Sequence, residues 1–280
     1  MKAQLLTLLA IGLMVSLQTT AQPAAPPTAG KITYEGMRRI DPSQMRMVVN
    51  GQEVRPGSAG APDAPEGMPD VLSFTQKLVF AGTMAKEERD RPQNMMRRSR
   101  DGDGAGSSGN AGGPPRAMRM GAPFEQQTYL DLANKTRIDV MTVKRDSTSQ
   151  TTYRSEKPMP TASDWQTSEK TKKIAGYTCH KATATRRKET YTVWYTTDLP
   201  FTYSPVADLT PPTGVVLQIE SDSESFKATA VSSEAVAATA VQPPTDAKVI
   251  TADEMEQIRR KTMADFRQKM MSSMPGMGRN

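Results

Sequence analysis

From Phe124 to Ser233 the chain runs as short segments rich in Thr, Tyr, Val and Trp, each closed by turn residues or a charge cluster. This pattern constrains the fold more than any other feature. The candidate strands cover 127–133, 135–144, 148–154, 165–171, 177–185, 190–197, 214–220 and 226–233. β-Branched and aromatic side chains suit a pleated, half-buried surface, and even spacing of short strands favours an antiparallel sheet that curls or closes. No strand–helix alternation interrupts the series, which argues against a parallel doubly wound fold. Upstream, Lys31–Glu35 alternates polar and apolar residues, with Ile32 and Tyr34 facing one way, and 74–82 carries Leu78, Val79 and Phe80. Pro158 and Pro160 are expected to break the meander, because proline donates nothing to a ladder.

One helix is expected near the C-terminal end. Thr251 and Glu254 have capping-box spacing, and Met255, Ile258, Thr262, Phe266 and Met270 mark one face at helical period. Acidic residues at its start and basic ones at its end complement the helix dipole, and Pro275-Gly276 stops it. Its apolar face is expected to dock on the sheet. The fold class is therefore mainly β: a curved antiparallel sheet or open half-barrel with one C-terminal helix and a long disordered insertion. The insertion is placed at about 86–122, where charge, glycine and paired methionines show no period. Such a stretch buries too little apolar surface to offset the entropy of ordering it. Asp101-Gly102-Asp103-Gly104 has the start of a calcium loop, but Ala105 and Gly112 stand where oxygen ligands belong, so calcium is rejected.

The first residues bear on location. Lys2, the apolar run Leu5–Leu17 and the small residues Thr19-Thr20-Ala21 read as a signal peptide over 1–21, cleaved before Gln22. No cysteine follows the cleavage point, which argues against a lipid anchor. The proline-rich stretch 22–30 reads as a tether, 31–245 as the β domain, and 246–280 as the helix with a methionine-rich tail. No transmembrane segment is expected in the mature chain, so the expected location is exported, in the periplasm or at the cell surface.

Composition then removes function classes. Cys179 and His180 are the chain's single cysteine and single histidine. That excludes a disulfide framework, a multi-cysteine metal site and most imidazole-based catalysis. Adjacent on a strand, the two point to opposite faces and cannot act as nucleophile and base. The net charge of +6 rests partly on Arg97, Arg98, Arg100, Arg116 and Arg119, which lack interleaved aromatic residues. That argues against nucleic acid and for peripheral contact with anionic surfaces. No phosphate loop, HExxH or GxSxG motif is present, so neither enzyme chemistry nor a cofactor is expected.

Two candidate sites remain. Tyr191, Val193, Trp194 and Leu217 read either as an apolar ligand wall inside a curved sheet or as plain aromatic and aliphatic core. Met271, Met274 and Met277 place thioethers at M-x-x-M-x-x-M spacing, a soft-ligand set suited to Cu(I), although methionine is abundant throughout the chain. The functional expectation is an exported, non-catalytic cell-envelope protein that binds an apolar ligand or a protein partner on a curved β-sheet. Copper handling through the methionine-rich segments is the alternative.

Part of the sequence has a family likeness. Lys173–Ala182 (KIAGYTCHKA) resembles the "K-I-x-G-Y-x-C-x-K-A" segment of the exported bacterial GLPGLI family, and Tyr191–Pro200 (YTVWYTTDLP) resembles that family's "W-Y-T-x-x-I-P" strand and turn. Thr213–Ile219 (TGVVLQI) stands where Pro-Gly-Leu-Ile-Leu-Glu-Ile would be expected, and Pro211-Pro212 replaces the opening Gly-Leu. The resemblance implies an exported protein without assigned chemistry. Neighbouring exported families with a similar strand imply the curved half-barrel of lipoprotein carriers.

Overall fold

The computed structural model describes residues 27–41, 47–49, 52–54, 70–90, 123–144 and 149–272. The strands are β1 (Ala29–Arg39), β2 (Met47–Val49), β3 (Gln52–Val54), β4 (Val71–Ala81), β5 (Met84–Arg89), β6 (Phe124–Asp131), β7 (Thr136–Lys144), β8 (Gln150–Pro158), β9 (Gln166–Ile174), β10 (Tyr177–Arg186), β11 (Glu189–Thr196), β12 (Val215–Glu220), β13 (Glu224–Ser233) and β14 (Lys248–Val249), followed by helix α1 (Ala252–Ser272). Twelve of them form one open sheet in the order β14-β8-β7-β6-β5-β4-β1-β13-β12-β11-β10-β9, while β2 and β3 pair separately. All pairings in the large sheet are antiparallel except β14 with β8. The fold is thus mainly β, with a sheet that does not close and a single C-terminal helix.

Alternation decides what each strand buries. On β1, Ile32 and Tyr34 are buried while Lys31, Thr33 and Glu35 are not. On β4, Leu78 and Phe80 are buried on the face that carries Gln76. These residues join Ala85, Leu130, Cys179, Leu199, Tyr203, Val215 and Leu217 in a first apolar cluster. A second cluster holds Tyr191, Val193, Val206, Leu209, Ile219 and Phe226. The segment 197–214, between β11 and β12, contributes to both and closes them from solvent. It is anchored through the Tyr203 backbone, whose N–H donates to the Gly214 carbonyl at 3.1 Å and whose carbonyl accepts from the Val216 N–H at 2.9 Å. Its last residue, Gly214, has φ +90°, and a Cβ there would lie 2.4 Å from the Thr196 carbonyl oxygen. Only glycine fits that return into β12.

Helix α1 begins as its sequence predicts. The Glu254 backbone N–H donates to Thr251 Oγ1 at 3.2 Å, and the Thr251 N–H donates to the Glu254 carboxylate at 2.8 Å. Met255 packs against Met141 and Val143, with Tyr153, Ile250 and Ile258 around them, so the helix docks on the β7–β8 end of the sheet.

Several boundaries differ from expectation. β1 starts at Ala29, inside the stretch read as a tether, because β4 and β13 both pair with it from its first residues. Residues 86–89, placed in the insertion, belong to β5, where Ala85 fills the core between Phe80 and Leu130. The rest of the expected insertion, 91–122, lies outside the described residues, as does the expected signal peptide. β8 runs on to Pro158, which is tolerated as the strand's last residue opposite Thr136. The pair β2–β3 and the short β14 carry no periodic signal and were not anticipated.

Candidate functional site

Cross-strand partners share a face, so the register carries the buried face of β4 onward row by row. One row runs Leu78, Glu87, Thr128, Asp139 and Ser155; the next runs Phe80, Ala85, Leu130, Arg137 and Lys157. Both rows begin in the first apolar cluster. The first turns polar from β5 and the second from β7, leaving a polar tract between the 197–214 segment on one side and α1 on the other.

Arg137 is the centre of the tract. Its Nε donates to Asp139 Oδ1 at 2.9 Å, its Nη2 donates to Thr128 Oγ1 at 2.9 Å, and its Nη1 lies 3.6 Å from Glu87 Oε2. Thr128 Oγ1 passes its own proton to Asp139 at 3.1 Å, and Lys157 Nζ lies 3.1 Å from the other Asp139 oxygen. On the β4 side the Tyr203 hydroxyl donates to Glu87 Oε1 at 3.1 Å and accepts from Gln76 Nε2 at 3.0 Å. Arg89 donates to Gln76 Oε1 at 2.7 Å. A continuous chain of bonds therefore links β5, β7 and β8 to the covering segment.

The two carboxylates respond differently. Burial raises the Glu87 carboxyl above its ordinary value, against the opposing pull of Arg137, the Tyr203 hydrogen bond and Arg89. Burial also pushes Asp139 up, but Arg137, Lys157 and Thr128 outweigh it and hold this carboxyl low. Burial and the neighbouring Glu87 charge raise the Tyr203 hydroxyl well above its usual range, so it stays a proton donor.

Three adjoining hollows share Arg137 as a wall. The largest of the three, about 650 Å³, is lined by Gln76, Arg89, Gln127 and Thr128 among others. A second, about 220 Å³, lies between the sheet and α1 beside Ser155, Lys157 and Arg259. Guanidinium, amide, carboxylate and hydroxyl groups held in fixed geometry offer donors and acceptors in pairs. Such a lining suits a ligand dense in hydroxyls or amides.

The residues predicted from sequence do not share one wall. Tyr191 and Val193 sit in the second apolar cluster, whereas Leu217 belongs to the first and Trp194 packs against it. Tyr191, Val193 and Leu217 are 2%, 0% and 0% exposed, closed under the 197–214 segment. Leu217 is the unmatched residue of a bulge, since Trp194 pairs with Gln218 and Tyr195 with Val216. Tyr191 borders a surface cleft, through a hydroxyl that reaches the buried Glu224 carboxylate at 3.3 Å. Glu224 is held in turn by Arg38 at 3.0 Å and Arg186 at 2.8 Å. Cys179 is fully buried and His180 exposed, on opposite sides of β10. Burial pushes the Cys179 thiol up to about 11. Of the candidate metal ligands, Met271 falls in the last turn of α1, and Met274 and Met277 lie outside the described residues. Among the described residues no cluster of His, Cys, Asp and Glu could hold a metal, and no helix is long and apolar enough to cross a membrane.

The polar tract escaped the sequence reading. Its members are spread from Gln76 to Tyr203, and each alone resembles a solvated strand position. The only local hint was Thr-x-x-x-x-x-x-x-x-Arg-x-Asp across the turn at Asn134, which hairpin pairing folds into one cluster.

Residues 116–257, about half of the chain, match the family described as "N-glycanase peptide, N-terminal domain". The matched stretch takes in the segments that resemble the GLPGLI family, and the family it matches is a different one. Two solved structures of PNGF-II, in the P21 and C2 space groups, align with 84% of this chain at 14% identity and a TM-score of 0.48. The chain spans about a third of their length, 34% and 33% respectively. No curated protein matches it significantly.

Proposed function

The chain belongs to the family of N-glycanase peptide N-terminal domains, and we propose that it is an exported, non-catalytic domain that binds a glycan on the polar face of β5–β8. The observation that carries this reading is the Arg137 cluster, in which one guanidinium joins Glu87, Thr128 and Asp139 beside open hollows. Paired donors and acceptors of this kind match vicinal hydroxyls and acetamido groups better than an acyl chain. Of the apolar positions that a lipid carrier would present, Tyr191, Val193 and Leu217 are instead packed shut. Both carboxylates of the tract are committed to Arg137, which supports binding over acid–base chemistry. Export rests on the signal-like residues 1–21.

The test is calorimetric titration of the full chain with an oligosaccharide released from an N-glycoprotein. Saturable heat that Arg137→Lys and Gln126→Ala each reduce at least tenfold is the expected outcome, since Lys cannot reproduce the guanidinium fork and Gln126 lines both open hollows. Absence of saturable binding, together with a co-purifying lipid-sized mass in native mass spectrometry, would return the assignment to an apolar carrier.

A further inference from the structure

The hydrogen bonds of the tract run in one direction and end on Glu87. Arg89 donates to Gln76 Oε1, Gln76 Nε2 donates to the Tyr203 hydroxyl, and Tyr203 donates to Glu87 Oε1. The other carboxylate oxygen, Oε2, faces Arg137 Nη1 at 3.6 Å, beyond hydrogen-bond reach. Arg137 is occupied elsewhere, since Nε serves Asp139 and Nη2 serves Thr128. Nη1 makes no hydrogen bond among the described residues, so it is held near Glu87 by charge alone. Both residues line the hollow of about 650 Å³, and the Glu87 side chain is still 15% exposed.

A carboxylate at that position hinders a neutral ligand in two ways. Its charge holds the Nη1 donors, and its water must be removed when the hollow fills. Protonated on Oε2, the same group releases Nη1 and offers an O–H to a sugar oxygen, while Oε1 keeps the Tyr203 bond. Arg137 still has Asp139 as its counter-ion, 2.9 Å away, with Lys157 at the other Asp139 oxygen. We infer that the tract takes up a neutral glycan together with a proton, which settles on Glu87, so that its occupancy is set by pH. This rests on the glycan reading above and adds the regulation of that site.

The groups around Glu87 leave it as the one that changes. Arg137 and Asp139 face it from β7, Arg89 from β5, Tyr203 from the 197–214 segment and Tyr34 from β1. β4 and β6 set the neutral Leu78 and Thr128 beside it. Burial is the largest influence and raises the Glu87 carboxyl; Arg137, the Tyr203 hydrogen bond and Arg89 pull it back, and Asp139 adds to the rise. Asp139 is held low, and both tyrosine hydroxyls stand well above their usual range. The chain's single histidine, His180, lies on β10, outside the tract. A glycan that fills the hollow strips the remaining water from Glu87 and draws Nη1 away, and both changes favour the protonated form. By linkage, the glycan then binds more tightly as pH falls.

The test is calorimetry of the full chain with a neutral oligosaccharide released from an N-glycoprotein, at one pH in phosphate and in imidazole, whose ionisation heats differ. Net proton uptake on binding is expected, with an affinity about tenfold higher near pH 5 than near pH 8. Glu87→Gln imitates the protonated acid and should bind at the low-pH affinity throughout, without proton uptake. Saturable binding with no proton exchange, proton release on binding, or uptake that persists in Glu87→Gln overturns this inference and leaves the glycan reading standing. No saturable heat at any pH overturns both. If Glu87→Gln folds poorly, the carboxyl resonances of the unsubstituted chain, labelled in glutamate, decide the matter. One carboxyl whose titration moves to higher pH when the oligosaccharide is added is expected, and titrations that stay in place overturn the inference.

Discussion

One face of the sheet is built in two ways. On β1, β4 and β13 its inward positions are Ile32, Tyr34, Leu78, Phe80, Phe226 and Ala228, sealed by the 197–214 segment. On β5 to β8 the same alternation points Glu87, Thr128, Asp139, Ser155, Arg137 and Lys157 inward, and only α1 covers the far end. The pairing geometry is the same in both halves. What differs is that apolar side chains fill space and expel water, whereas the charged ones satisfy one another and leave hollows. The first half supplies stability and the second supplies a surface that a ligand can enter.

Substitutions in the two halves should separate these roles. Phe80, which is 1% exposed and packs its ring 5.0 Å from that of Phe201, should give the largest loss. Phe80→Ala is expected to cost about 3–5 kcal/mol in urea denaturation, from lost burial plus the cavity. A loss under about 1 kcal/mol would mean that the apolar half is not the stabilising one. Thr251→Ala removes the cap that starts the helix over the polar half, and should cost about 1 kcal/mol. Its signature is lower helical circular dichroism with the sheet signal unchanged.

The two carboxylates of the polar half should show opposite pH behaviour. Glu87 has a raised pKa, so the folded state holds its proton more tightly than the unfolded chain does. Stability should therefore fall as pH rises from the ordinary carboxylate value of 4.5 through the raised one, and Glu87→Gln should remove that slope. Asp139 has a lowered pKa, so its contribution is present above 3.8 and is lost as pH falls through the lowered value. Asp139→Asn should abolish that acid-side loss; identical pH curves for both variants would break the comparison. The smallest effect belongs to the exposed Glu256–Arg259 pair on α1, at 2.7 Å and nearly half exposed on each side. Arg259→Ala should change stability by less than about 0.5 kcal/mol.

The apolar half was far more legible in the sequence than the polar one. Ile32 with Tyr34, and Leu78 with Phe80, announce their strands by alternation, and the Thr251–Glu254 box announces the helix. Hydrophobic periodicity reports burial, and burial by like residues needs no knowledge of partners. The tract around Arg137 depends on which strand lies beside which. Glu87 lies on β5, whose second half charge density hid inside an expected insertion, and Tyr203 comes from a segment without period. Tyr191, Val193 and Leu217 were recognisable as inward-facing, but whether a groove stands over them depends on the course of 197–214. Only tertiary structure decides that.

The place of β1 sets a timetable for the whole molecule. This first strand is central, held by β4 on one side and by β13 on the other, with Gly30 opposite Ser233. Pairing across so much intervening chain closes slowly, because the loop entropy is spent before the contacts form. During synthesis the middle of the sheet stays incomplete until residue 233 has emerged, leaving an unpaired edge on β1 for all that time. A chain that folds this late presents that edge to other chains until β13 pairs with it.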